Sequence, residues 1–325
     1  MSRLHLLHLV EEPKSEGLRR LLLALQQFAS VLSLILHDDV RLSEAALSLL
    51  ARLQPYALGQ ERRASWPGTV LLGGEATVLR FVVEDAVLTE MLQASVGLWG
   101  WQHPDLPEDP ALLRDDGSAI LGSVCHEQFG FLKVTSREFA SLSATIPEIV
   151  ANVRPGHPVE DYEELKALLL AGKVEDSERP FVEGFVAFLE REAARVHSEA
   201  MVLRDAGHVW KAMKAVEPFA RATPAFPNAA GIAALLSELE GMPNYEEELA
   251  GGAAYSEAER LEGGLALDAY EAYMAIVEES AGTRIAGNAR AQAERLLSEG
   301  QIGYLESCDD CCSAKRACEK HRKAP

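Results

Sequence analysis

The sequence has no apolar run long enough to cross a membrane as a helix. Its most apolar stretch, Leu21 to Leu36, has only sixteen residues and includes two glutamines and two serines. A bilayer-spanning helix needs about 20 mostly apolar residues. The first ten residues also lack a secretory layout, because they include Arg3 and two histidines and lead directly into two glutamates. We therefore expect no membrane span and a cytoplasmic location.

Basic residues are scarce. Lys and Arg number 31 against 50 Asp and Glu, which gives a formal net charge of -19. Nucleic acids and anionic membranes are bound through clustered lysines and arginines, so the composition disfavours both as partners. A strongly acidic surface is instead suited to bind basic proteins. The one basic cluster is in the last dozen residues.

Common catalytic motifs are missing as well. The sequence has no Gly-x-x-x-x-Gly-Lys-Ser/Thr loop, no Gly-x-Gly-x-x-Gly, no His-Glu-x-x-His and no Gly-x-Ser-x-Gly. These patterns mark phosphate-binding loops, dinucleotide folds, zinc proteases and serine hydrolases. Those four classes therefore lose their usual support.

Cysteine is rare outside one C-terminal segment, SCDDCCSAKRACEKH, from Ser307 to His321. This segment carries four of the five cysteines, and the fifth is Cys125. In a reducing cytoplasm, clustered cysteines favour metal binding or redox chemistry over structural disulfides. The segment is therefore the first candidate for a functional site.

The spacing within this segment predicts a small metal-binding knuckle. Cys308 and Cys311 form one ligand pair, and Cys318 and His321 form the other. Zinc takes four such thiolate or imidazole ligands in a tetrahedron, so zinc is the expected cofactor. The linker of six residues is shorter than the twelve or so that are usual. Cys312 is surplus, and it could replace another ligand or remain free.

An iron–sulfur cluster is the alternative cofactor. If the segment is helical, Cys308, Cys311 and Cys312 share one face, and Cys318 follows. Four thiolates are the usual ligands of such clusters. Disulfides that form on oxidation, or a tail without a specific role, are the further alternatives.

The order of predicted elements indicates an α+β protein. We expect N-terminal helices and a small antiparallel sheet module, followed by a mainly α-helical acidic domain. The predicted parts are an α+β domain at 1–150, with helices within 18–53 and the sheet module over about 66–145, a helical domain at 151–305, and a Cys-rich basic tail at 306–325.

Local patterns support specific elements. Leu18 to Leu36 is predicted to be one helix, and the Gly73-Gly74 pair is predicted to separate two paired strands. The three prolines of His103 to Pro110 predict an irregular segment. Asp116-Gly117 between two apolar runs predicts a hairpin. Apolar residues spaced by three and four from Val182 to Leu203 predict a long helix with one buried face.

Two other groups of residues carry chemistry-bearing side chains. Cys125 precedes His126 and Glu127, but neighbours in a strand point to opposite faces, so we interpret Cys125 as a buried structural cysteine. Glu190 and His197 share a face of the long helix, as ligands of carboxylate di-iron sites do. No complete Glu-x-x-His motif accompanies them, so a solvated charged face is the simpler interpretation.

The segment around residues 68–145 resembles a pattern in small uncharacterised bacterial proteins. The matching residues are Trp99, Trp101, Pro104, Leu106-Pro107-Glu108-Asp109, Gly117 and His126-Glu127. The resemblance implies a bacterial source and a compact α+β module, and it carries over no functional residue. Pro110 and Ala111 depart from that pattern, in which Leu and a further apolar residue follow the Asp.

Two functions follow as hypotheses. The first is a bacterial binding or regulatory protein, of immunity or inhibitor type, whose acidic surface covers a basic protein partner. The acidic stretch Asn244 to Gly264 would be either solvated surface or its docking face. The second is a metal- or thiol-dependent redox enzyme with the cysteine cluster as its reactive centre.

Overall fold

The computed structural model describes residues 3–38, 40–262 and 266–299, and it shows an α+β protein. An antiparallel sheet formed by the first 155 residues is followed by a mainly helical region, which confirms the predicted fold class. The strands are β1 His5–Leu9, β2 Val31–Leu36, β3 Ala57–Arg63, β4 Ser65–Trp66, β5 Thr69–Val70, β6 Ala76–Val82, β7 Glu108–Leu113, β8 Ala119–Val124, β9 Phe129–Val134 and β10 Val153–Pro155.

Helices make up most of the remaining chain. They are α1 Glu16–Gln26, α2 Glu44–Leu53, α3 Asp85–Ala94, α4 Ser136–Thr145, α5 Pro147–Val150, α6 Pro158–Leu170, α7 Arg179–Asp205, α8 Val209–Val216, α9 Ala229–Glu240, α10 Tyr245–Leu261, α11 Ala266–Glu279 and α12 Arg284–Ser298. Across the ranges that the structure describes, none of these helices combines the length and the apolar composition needed to cross a lipid bilayer.

The main sheet has eight strands in the order β10-β1-β9-β8-β7-β2-β6-β3, and each neighbouring pair is antiparallel. Its central strands β2, β7 and β8 are buried along almost their whole length. Such burial means that both faces of the sheet centre are covered. Strand β3 forms one edge, is mostly exposed and ends in three charged residues, which oppose pairing with another chain.

The prediction of one helix from Leu18 to Leu36 is wrong in its second half. Helix α1 ends at Gln26, and Val31–Leu36 is strand β2 within the sheet. A strand buried on both faces is a continuous apolar run, which periodicity alone cannot distinguish from a buried helix. The sheet also begins earlier than the predicted module, because β1 starts at His5.

The turn predictions had mixed outcomes. Asp116-Gly117 does connect the antiparallel strands β7 and β8, and Gly117 has the positive φ of 79° that such a turn requires. The strand pair expected around Gly73-Gly74 is wrong, because β5 pairs with β4 while β6 pairs with β2 and β3. Only the first part of His103 to Pro110 is irregular, since β7 begins at Glu108.

Contacts divide the described residues into two units. The first comprises residues up to 194 together with 221–227, and the second comprises 195–220 and 228–299. The first unit contains the whole sheet. The second is helical, with a core around Tyr255 and Tyr273. The long helix predicted from Val182 to Leu203 is confirmed as α7, whereas the domain boundaries at residues 150 and 305 stay predictions.

Candidate metal centre

Two strands and one loop of the first unit bring two histidines and a glutamate together. Ile35 of β2 pairs with Glu108 at the start of β7, and His37 follows β2 by one residue. His103 lies in the loop between the short 3-10 helix Leu98–Gly100 and β7. We call His37, His103 and Glu108 the His–Glu centre.

The loop that carries His103 is firmly attached. Trp101 is fully buried and anchors the loop in the core. The backbone N–H of Leu106 donates to the carbonyl of Gln102 at 2.9 Å, and the N–H of Ser43 donates to the carbonyl of Pro104 at 2.9 Å. These bonds hold the segment before β7 against the beginning of α2.

The side chains of the His–Glu centre face one another at short distances. His103 Nδ1 lies 3.1 Å from Glu108 Oε1, and His37 Nε2 lies 3.4 Å from Glu108 Oε2. One ligand atom from each residue lies within 4.8 Å of the others. The His37 side chain is 26% exposed, so the centre is reachable from solvent.

His103 is the residue that ordinary packing explains least. Its side chain is only 5% exposed, its Nδ1 faces Glu108 Oε1, and its Nε2 has no hydrogen-bond partner among the described residues. A buried polar group without a partner costs about 1–3 kcal/mol. The hydrogen bond from the imidazole lowers the pKa of Glu108, against the opposing effect of burial, so a charged carboxylate faces the ring. A metal ion is the partner that such a pair would suit.

A bulge in β7 places a second carboxylate beside Glu108. Ser33 pairs with Ala111 and Ile35 with Glu108, so β7 has one more residue than β2 over this interval. Asp109 lies in the bulge with a positive φ of 50°. Bulges of this kind change the direction of a side chain and are common near active sites.

Asp109 is fully buried, and both of its oxygens are held. Trp66 Nε1–H donates to Oδ2 at 2.8 Å, and the backbone N–H of Cys125 donates to Oδ1 at 2.8 Å. Burial nevertheless raises the pKa of the Asp109 carboxyl. The same tryptophan packs edge-on against the His37 ring, with the ring centres 5.7 Å apart.

Cys125, His126 and Glu127 form a short 3-10 helix between β8 and β9, and the prediction that they lie in a strand is wrong. Cys125 is fully buried and its Sγ contacts the carbonyl of Leu98 at 3.3 Å. Burial raises the pKa of this thiol to about 12, which opposes a nucleophilic role. His126 is exposed, yet its ligand atoms lie within 4.8 Å of those of Glu108 and Asp109.

The metal site predicted from sequence uses other residues. Its ligands all fall outside the described residues, so the knuckle stays a prediction: Cys308, Cys311, Cys312, Cys318 and His321. Within the described ranges, the charged residues of α7 do not form a group of three metal-ligand atoms. Glu190 is instead 3.2 Å from Lys166 Nζ and accepts the hydroxyl of Tyr162 at 3.3 Å.

Sequence reasoning did not identify the His–Glu centre. His37 and His103 are separated by more than sixty residues, and no short motif links them. The only sequence signal is the combination of histidine and acidic residues between the prolines of His103 to Pro110. Those prolines predict only that the segment is irregular.

No protein-family model matches the sequence, and no curated protein or solved structure does so. We therefore infer a function from the chemistry of the His–Glu centre. Two imidazoles and one carboxylate are the ligand set of many catalytic zinc and non-haem iron sites. Three protein ligands leave coordination positions open for water or a substrate.

Proposed function

We propose that this chain is a metal-binding protein that holds a divalent transition metal ion on His37, His103 and Glu108. Its function would depend on metal chemistry rather than on thiol chemistry. The single observation that carries the proposal is the buried imidazole of His103, whose Nδ1 faces the Glu108 carboxylate and whose Nε2 has no hydrogen-bond partner among the described residues. Metal coordination would satisfy one of its nitrogens.

The type of ligand favours particular metals. Imidazole suits zinc and iron(II), and a carboxylate is compatible with both. The metal would supply a Lewis acid at the solvent-accessible side of the centre, next to the partly exposed His37. A thiol-dependent reaction at Cys125 has less support, because the pKa of that thiol is raised to about 12.

The test must separate this centre from the predicted cysteine knuckle. The test therefore uses the 325-residue chain with serine at positions 308, 311, 312 and 318 in place of Cys308, Cys311, Cys312 and Cys318, and we call this variant the four-serine chain. After dialysis against zinc and then against metal-free buffer, elemental analysis is expected to find bound zinc. His103→Ala in the same chain is expected to lose it.

A matched control is available in the same unit. His8 is half-buried on β1 and lies outside the His–Glu centre. The four-serine chain with His8→Ala should keep its zinc. A four-serine chain that binds no zinc, or a His103→Ala variant that binds as much as its parent, would contradict the proposal.

A protein partner is a second proposal, supported by the net charge of -19. Helix α10 adds exposed acidic side chains at Glu246 and Glu247. A basic protein, such as a toxin covered by an immunity or inhibitor protein, would match this charge. Crosslinking at native expression levels should capture a partner whose association weakens with salt and in the Glu246→Lys, Glu247→Lys variant. Absence of any crosslinked partner would count against it.

A further inference from the structure

We infer that Glu108 bridges two metal positions, and that Asp109 and His126 complete a second one beside the His–Glu centre. This inference rests on the proposed function, because it needs the first metal ion to be bound. The ion at the second position would be another divalent cation. The centre would then be dinuclear.

The shared residue is the first argument. Glu108 belongs both to the group with His37 and His103 and to the group with Asp109 and His126. Within each group, the ligand atoms lie within 4.8 Å of one another. A carboxylate has two oxygens and about four lone pairs, so it can bind two cations at once.

The bulge in β7 is the second argument. In a regular strand, adjacent side chains point to opposite faces, so Glu108 and Asp109 would be separated. The extra residue and the positive φ of Asp109 bring both carboxylates to one place. A positive φ is unfavourable for a residue other than glycine, and such strain is concentrated at functional sites.

The hydrogen bonds of Asp109 are compatible with metal binding. Trp66 Nε1–H donates to one Asp109 oxygen and the backbone N–H of Cys125 donates to the other. Each oxygen has a second lone pair, which stays available to a metal ion. Ligand carboxylates are commonly oriented by such hydrogen bonds from outside the coordination sphere. Asp109 would therefore be held ready in a fixed orientation.

His126 distinguishes the second position from the first. Its side chain is 55% exposed, and its closest ionic neighbour is Glu127, with Nε2 at 3.8 Å from Oε1. An exposed ligand is expected to make the second position weaker than the first, which uses the buried His103. Paired divalent ions stabilise both the attacking and the leaving oxygen in a displacement, so hydrolysis is the class of reaction that this geometry suits.

The experiment is a manganese titration of the four-serine chain followed by electron paramagnetic resonance and elemental analysis. We expect two manganese ions per chain at saturation and a spin-coupled signal, because bridged ions interact magnetically. In His126→Ala, one ion should remain and the coupling should disappear. Glu127→Gln changes the neighbouring exposed residue, and it should keep both ions.

The possible failures can be told apart. If the four-serine chain and His126→Ala each bind one uncoupled ion with equal affinity, the second position is refuted and the His–Glu centre stands. If the four-serine chain binds no manganese here and no zinc in the dialysis experiment, the proposed function fails together with the bridge. Because His126 is exposed, its replacement is not expected to disturb folding, and far-ultraviolet circular dichroism would check this.

Discussion

Replacing His103 with leucine should have opposite effects on metal binding and on stability. The imidazole is almost completely buried, its Nδ1 lies 3.1 Å from Glu108 Oε1, and its Nε2 has no hydrogen-bond partner among the described residues. The unpartnered Nε2 costs about 1–3 kcal/mol, and leucine of similar size removes that cost. Glu108 loses a favourable neighbour but keeps His37 at 3.4 Å. Without metal, we therefore expect the free energy of unfolding of the variant to equal that of its parent or to exceed it by up to about 2 kcal/mol.

His5 provides the matched control, because it is a buried histidine of the same unit that also faces a carboxylate but whose Nε2 does have a hydrogen-bond partner. Its Nε2 is hydrogen-bonded to Ser136 Oγ at 3.1 Å, and its Nδ1 faces Asp161 Oδ1 at 3.4 Å. The ring also stacks on Phe185, with the centres 4.0 Å apart. His5→Leu leaves the serine and the aspartate without that partner, so it should destabilise the protein by about 1–3 kcal/mol.

Urea unfolding followed by tryptophan fluorescence measures both variants, because Trp66, Trp99 and Trp101 all lie in this unit. With a chelator, His103→Leu should unfold at the same or a higher urea concentration than its parent, the four-serine chain, and His5→Leu at a lower one. Zinc at about 100 times its dissociation constant should stabilise the parent by about 2.7 kcal/mol. The same zinc should not stabilise His103→Leu. Stabilisation of His103→Leu by zinc to the same extent as its parent would refute a ligand role for His103.

Three further predictions concern the same unit. Glu138→Gln should cost about 1–3 kcal/mol at pH 7, because Glu138 accepts two hydrogen bonds from Arg114. Burial raises the pKa of the Glu138 carboxyl, but the hydrogen bonds from Arg114 and from the Thr135 backbone lower it more. In urea unfolding at decreasing pH, the stability advantage of the wild type should therefore disappear as the pH falls through that lowered pKa. A stability difference that stays constant with pH would contradict this. Asp109→Asn should cost about 1–3 kcal/mol in the same assay, because the NH2 group of asparagine cannot accept a hydrogen bond and must face either Trp66 Nε1–H or the Cys125 N–H. Unchanged stability would argue against the buried network. Burial raises the pKa of the Cys125 thiol to about 12, so the folded four-serine chain should resist alkylation by iodoacetamide at pH 8 until it is denatured. Mass spectrometry can measure the alkylation, and rapid labelling of the folded chain would contradict this prediction.

Local patterns in the sequence were sufficient for part of the fold. The spacing of apolar residues from Val182 to Leu203 predicted helix α7, and Asp116-Gly117 predicted the β7–β8 hairpin. Both signals depend only on neighbouring residues. The α+β class followed from the order of such elements. Strand β2 was missed because burial on both faces removes the alternation by which strands are recognised.

The candidate centre could not be predicted in the same way. His37 and Glu108 become neighbours only because β2 pairs with β7, and that pairing depends on recognising β2 as a strand. Asp109 joins them through a bulge, which has no simple sequence signature. The cysteine cluster was easier to recognise, because its ligands are close in sequence. A site assembled from distant strands gives no comparable spacing signal.

The most direct test of the central claim is X-ray diffraction from zinc-soaked crystals of the four-serine chain, measured on both sides of the zinc absorption edge. We expect an anomalous difference peak bounded by His37, His103 and Glu108, with zinc–nitrogen distances of about 2.0–2.1 Å. The peak should be missing in His103→Ala. No anomalous density at this centre, with zinc bound elsewhere on the chain, would contradict the account.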